Sequence, residues 1–169
     1  MSTILLATDD GPTSPYAEMR PAALRWAAER GARVILHDRS AESYFVDPYP
    51  SGPWTADVEG SPNRDRLLEP ADLEALGRTY LAEQVVAARR EGVDAHAWLP
   101  SRPGPAGMAD AVERFGAELV ILPAALERPS LLDRVRGNSL ERFRTALAVE
   151  VVAASPDGVR LRQEQSPTG

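Results

Sequence analysis

Residues 118–144 read ELVILPAALERPSLLDRVRGNSLERFR, and this stretch decides the fold. Leu119-Val120-Ile121-Leu122 is an apolar run stopped by Pro123, the pattern of a short, fully buried strand. Residues 130–136 have the pattern of a short helix, and Gly137-Asn138-Ser139 then opens another. Strand, loop and helix N-terminus in that order is how α/β proteins build anion sites, because free N–H groups and the helix dipole converge there.

Working outward, Thr3–Ala7 is a second buried run, ending in the turn-forming cluster Thr8-Asp9-Asp10-Gly11-Pro12-Thr13-Ser14. Tyr16, Met19, Ala23, Trp26 and Ala27 fall on one helical face that Gly31 closes. Val34-Ile35-Leu36 is the next strand, with His37-Asp38 at its carboxyl end. Leu73, Leu76, Tyr80, Leu81, Gln84, Val85 and Ala88 predict one amphipathic helix, and Val93–Leu99 alternates like a half-exposed strand. Met108, Ala111, Val112 and Phe115 mark a further helix, Leu140, Phe143, Ala146 and Leu147 another, and Val149–Ala153 a fifth strand. Five strands alternating with four main helices predict an α/β fold: a doubly wound, five-stranded parallel sheet with helices on both faces.

A hydrophobic share of 43% is enough to bury one sizeable core, so residues 1–155 read as a single domain. Residues 156–169 read as a disordered tail. Residues 41–70 form a long loop with Pro48, Pro50, Pro53, Pro62 and Pro70 among Tyr44, Phe45, Tyr49 and Trp54. It is a lid, a partner contact or a plain insertion.

A net charge of −6 argues against a nucleic-acid partner. No apolar run approaches the roughly 20 residues of a membrane helix. Asp9-Asp10 comes too early for a signal peptide, so a cytoplasmic protein is expected. The chain has no Cys, and all 19 basic residues are Arg, which excludes thiolate chemistry and the lysine of a P-loop. Two isolated histidines give no metal-ligand spacing. Paired acids after the first strand also suit a phosphoacceptor receiver, but Leu99-Pro100-Ser101 and the missing lysine rule that out.

Ile4-Leu5-Leu6-Ala7-Thr8-Asp9 followed by Ser14, Gly116-Ala117-Glu118-Leu119-Val120-Ile121, Gly137-Asn138 with Glu141-Arg142, and Val149-Glu150-Val151-Val152 occur in that order. Together they resemble the universal stress proteins of the UspA type over residues 3–155. The resemblance implies a Rossmann-like, adenine-nucleotide alpha-hydrolase-like fold and a non-enzymatic regulatory or stress-response role. It also implies a homodimer made through the fifth strand, with Val149, Val151 and Val152 at the interface.

In the nucleotide-binding branch of that family the fourth loop reads G-x-x-G-x9-G-[ST]. Anchored on Gly137, Ala124 and Glu127 stand in place of the first two glycines and Asn138 in place of the hydroxyl residue, with Ser139 one position on. Ala124 adds a Cβ, and Glu127 adds a repulsion on the order of 1 kcal/mol or more beside a triphosphate. The resemblance therefore implies a candidate crevice of Thr8, Asp9, His37, Asp38, Ala124, Glu127, Gly137, Asn138 and Ser139 with a degraded ATP loop. No cofactor is required, and ATP or another adenine nucleotide such as AMP is the alternative. A weak metal-dependent phosphatase or nucleotide hydrolase using Asp9 with Glu127 is a further reading. Local structure offers competing roles: Asp9 as a loop cap for the first helix, Gly137 as the C′ glycine of residues 130–136, and Asn138 with Glu141 as a capping box. His96 is expected to be a solvated strand residue.

Overall fold

The computed structural model describes residues 1–41, 66–135 and 137–161. Six strands, β1 (Thr3–Thr8), β2 (Arg33–Asp38), β3 (Asp94–Trp98), β4 (Leu119–Pro123), β5 (Glu150–Ser155) and β6 (Gly158–Arg160), form one sheet in the order β3-β2-β1-β4-β5-β6. The first five run parallel, and β6 returns antiparallel on β5.

Alternation along each strand feeds two cores. Ile4, Leu6, Val34, Leu36, Ala95, Ala97, Ile121 and Val152 meet Met19, Ala23 and Ala27 of α1 (Pro15–Glu29) and Leu81, Val85 and Ala88 of α3 (Thr79–Arg90). Leu5, Ala7, Ile35, Trp98, Val120, Leu122, Val151 and Ala153 meet Met108 and Ala111 of α4 (Gly104–Phe115) and Leu140 and Phe143 of α6 (Leu140–Ala146). Strands with both faces covered read as continuous apolar runs, as β1, β2 and β4 do. The order reverses between β1 and β4, so the carboxyl ends of these neighbours border the crevice where open α/β sheets place ligands.

Four expectations need correction. The single helix over Leu73–Ala88 is two, α2 (Pro70–Ala75) and α3, separated by Gly77 at φ +74. The Gly77 N–H returns to Glu74 O and the Arg78 N–H to Leu73 O, a glycine-closed helix end. Residues 66–70 of the long loop are ordered: Leu68 forms an antiparallel bridge with Ala97, covering the β3 edge, and Pro70 starts α2. Lid or partner roles for Tyr44, Phe45, Tyr49 and Trp54 fall outside the described residues, as does the tail from residue 162.

The tail read from residue 156 begins instead with a hairpin, because Pro156-Asp157 makes a two-residue turn that pairs Ser155 with Gly158. Finally, β5 is not the sheet edge. β6 occupies its outer side from Ala153 to Ser155, while the Val151 and Val152 side chains lie in the two cores and Val149 is partly buried before the strand. β6 thus occupies the outer side of β5 only over Ala153–Ser155 and pairs with none of Glu150–Val152.

Candidate functional site

At the end of β1, Thr8 is fully buried and its hydroxyl is committed inward. It donates to Gln84 Oε1 at 2.6 Å and accepts from Arg20 Nε at 3.1 Å and Nη2 at 2.8 Å. Burial lowers the Arg20 guanidinium below its ordinary range, with the Asp9 charge opposing. Asp9 Oδ1 accepts from Ser14 Oγ at 2.6 Å and from the Gly11 N–H at 3.2 Å, and Ser14 Oγ in turn caps α1 by accepting from the Ala17 N–H. These contacts make Asp9 the brace of the helix cap. Gln84 Nε2 also donates to the Asp9 carbonyl at 3.0 Å. Asp10 and Ser40 exchange hydrogen bonds, tying the first loop to the second.

At the end of β2 the side chains alternate in fate. His37 is buried with its ring 5.4 Å from that of Trp98, a packing position on the core side. Asp38 is fully buried, pairing with Arg78 Nη1 at 3.1 Å and accepting from Tyr80 Oη at 2.5 Å and the Ser40 N–H at 2.9 Å. Burial pushes the Asp38 carboxyl up against the opposing pull of Tyr80, Arg78 and Ser40. The Tyr80 phenol is raised well above its usual range by burial and then by the Asp38 charge. Gly77, by ending α2, positions Arg78 for this contact.

Beyond β4, residues Ala124–Glu127 form a single 3-10 turn that buries Leu126 and packs Ala124 on the core. Glu127 extends toward β6, with its carboxylate 3.6 Å from Arg160 Nη2. Asp9 and Glu127 thus have separate partners, and no contact joins them as an acid pair. α5 (Leu131–Val135) follows, and the Gly137 N–H returns to Arg134 O at 3.1 Å while the Asn138 N–H returns to Asp133 O at 2.8 Å. With φ +73 at Gly137, this is the 6→1 and 5→2 bonding of a Schellman motif. Gly137 is the C′ residue of α5.

The N-cap of α6 is Ser139, whose hydroxyl accepts from the Arg142 N–H at 3.3 Å; the cap thus falls one residue after Asn138 and is a single bond in place of the expected Asn138–Glu141 capping box. Asn138 instead receives Arg39 Nη2 on Oδ1 at 2.8 Å, and the Arg39 guanidinium lies 4.9 Å from the centre of the Phe143 ring. A Cβ on Gly137 would meet Arg142 Nη1 at 2.8 Å, so a second guanidinium fills the space beside that glycine.

Of the residues singled out from sequence, Asn138 is joined to the β2 end through Arg39, and Asp9 to α3 through Gln84. Arg39, Gln84, Arg78 and Arg142 were missed. Arg39 directly follows the strand that His37-Asp38 ends, so carrying the edge one residue further would have found it. The others depend on contacts between distant elements and left no local signal. Among the described residues no group of three or more acidic or His side chains could hold a metal ion.

A scan against protein-family models and a search of curated proteins both return no match. Solved structures do match in shape. One is a universal stress protein in complex with cAMP, 14% identical, covering 92% of this chain and 97% of that one with a TM-score of 0.55. Another, from the universal stress protein family of Burkholderia pseudomallei, is 19% identical and covers 89% and 92% with the same score. The chain has the universal stress protein fold. Within it, β6 adds an antiparallel strand to the five expected, and no helix among the described residues is long and apolar enough to cross a membrane.

Proposed function

We propose that this chain is a regulatory binding protein of the universal stress type, cytoplasmic and without catalytic turnover, whose crevice does not take ATP in the way of the family's glycine loop. The observation that carries the reading is the 3-10 turn Ala124–Glu127, which stands where the first two glycines of that loop would be and packs Ala124 on the core. Gly137 supports it, being used to end α5, and so does Glu127, which keeps a negative charge on the same loop. Calorimetric titration should give no ATP binding below about 1 mM, weaker than roughly 4 kcal/mol. Native mass spectrometry that finds ATP carried through purification would overturn the reading. Turnover of ATP or a phosphomonoester with Mg²⁺ or Mn²⁺, abolished by Asp9→Ala, would overturn the absence of catalysis.

Two arginines at this loop, Arg39 beside Asn138 and Arg142 beside Gly137, favour a second reading. A cyclic adenine nucleotide has a single phosphate charge and does not require a triphosphate cradle, and one protein of this fold is seen with cAMP. Arg39 and Arg142 would supply the guanidinium forks for that charge. Binding of cAMP at least tenfold tighter than ATP, lost in Arg39→Ala, would select it.

A further inference from the structure

α1 and α3 cover the same face of the sheet, yet a groove of about 450 Å³ runs between them. That volume lies in the range of small-molecule sites. The helices are bridged beneath it by Thr8, Arg20 and Gln84, a polar link where flanking helices would ordinarily pack. Pro21 and Leu24 of α1 and Ala87 of α3 give the groove apolar walls. The Tyr80 hydroxyl points inward to Asp38 and Arg78, which leaves its ring to line the groove.

Charge then decides the occupant. Asp10, Glu83 and Glu91 line the groove as exposed residues. The cation in its lining, Arg20, is turned to Thr8 and faced by Asp9. Glu83 of α3 and Glu91, the residue that caps its end, stand eight residues apart, about 12 Å along the helix axis. An apolar trough with carboxylates spaced along it matches a flexible methylene chain carrying several ammonium groups. The aromatic ring of Tyr80, one turn before Glu83, adds a face that attracts such a cation.

We propose that the α1–α3 groove binds a linear aliphatic polyamine, independently of any ligand in the crevice. The test is calorimetric titration of spermidine at about 0.15 M salt, where non-specific attraction to an acidic protein is screened beyond roughly 8 Å. Saturable one-to-one binding in about the 0.1–1 mM range is expected. Glu83→Gln with Glu91→Gln should weaken it at least tenfold. Ala87→Trp, which fills the groove without altering charge, should remove it, while Glu113→Gln with Glu118→Gln, outside the groove, should leave it unchanged. Thermal unfolding of each variant verifies that it is folded, and the glutamine pair decides the matter should Ala87→Trp fail to fold. No saturable binding up to about 10 mM, undiminished binding by Ala87→Trp, or an equal loss from the distant pair would overturn the proposal.

Discussion

Asp38, a candidate ligand contact in the sequence, is held in the structure by Arg78, Tyr80 and the Ser40 N–H. The sequence places it correctly at the carboxyl end of a strand. Its partners lie 40 and 42 positions away, so periodicity could not reveal that its charge is neutralised inside the protein. Removing one member of a buried pair leaves an uncompensated charge, so Arg78→Met should cost about 3–5 kcal/mol by urea denaturation. Pairing that change with Asp38→Asn should cost clearly less than the sum of the two single losses. Additive losses would show that the contact contributes little. Asp9 has the opposite history, since the local cap motif beside it was legible and the hydrogen bonds to Ser14 and Gly11 bear it out.

Elements were most legible where their apolar period was longest. β1, β2, β4 and α1 follow directly from their residues, whereas the α2–α3 break depends on one glycine inside an otherwise continuous helical period. Gly137→Ala tests the reading of the fourth loop as a helix end. A left-handed Cβ costs about 1–2 kcal/mol, and the Arg142 head must also shift, so chemical denaturation should record at least that loss. An unchanged midpoint would mean that the Schellman geometry is not maintained in solution.

β6 was missed because a three-residue strand with one apolar side chain has no period. Its pairing nevertheless covers part of an otherwise open strand edge, and the association of copies tests that role. Light scattering should give a monomer, and Arg160→Pro, which removes the N–H that β6 turns toward Ala153, should produce concentration-dependent association through the uncovered β5 edge. A wild-type dimer that Arg160→Pro leaves intact would refute this role.

Across the whole molecule, two carboxylates set opposing responses to acid. At Glu69 burial raises the pKa, but hydrogen bonds from Arg89 and His96 outweigh it and hold the carboxyl below its usual value. Its contribution is present above the ordinary Glu range and is lost as pH falls through the lowered folded value. Asp38, raised in the folded chain, takes up a proton more readily there than when unfolded, so its contribution favours acid. Glu69→Gln should therefore flatten the loss of stability between about pH 5 and 3, and Asp38→Asn should steepen it, in urea midpoints followed against pH. The same Glu69 contact, with Asp94 on the other ring nitrogen, corrects the expectation for His96, which is held in a surface network and not simply solvated.

The central position of β1 has a consequence for biosynthesis. Ile4 pairs with Leu119 on one side and Val34 on the other, so β1 gains its first neighbour early and its second only 115 residues after Ile4 itself. At translation rates of about 5–20 residues per second, one flank of the innermost strand stays bare for roughly 6–23 seconds. During that time the nascent chain offers an apolar template to any passing strand, and a chaperone that shields it would act before β4 leaves the ribosome.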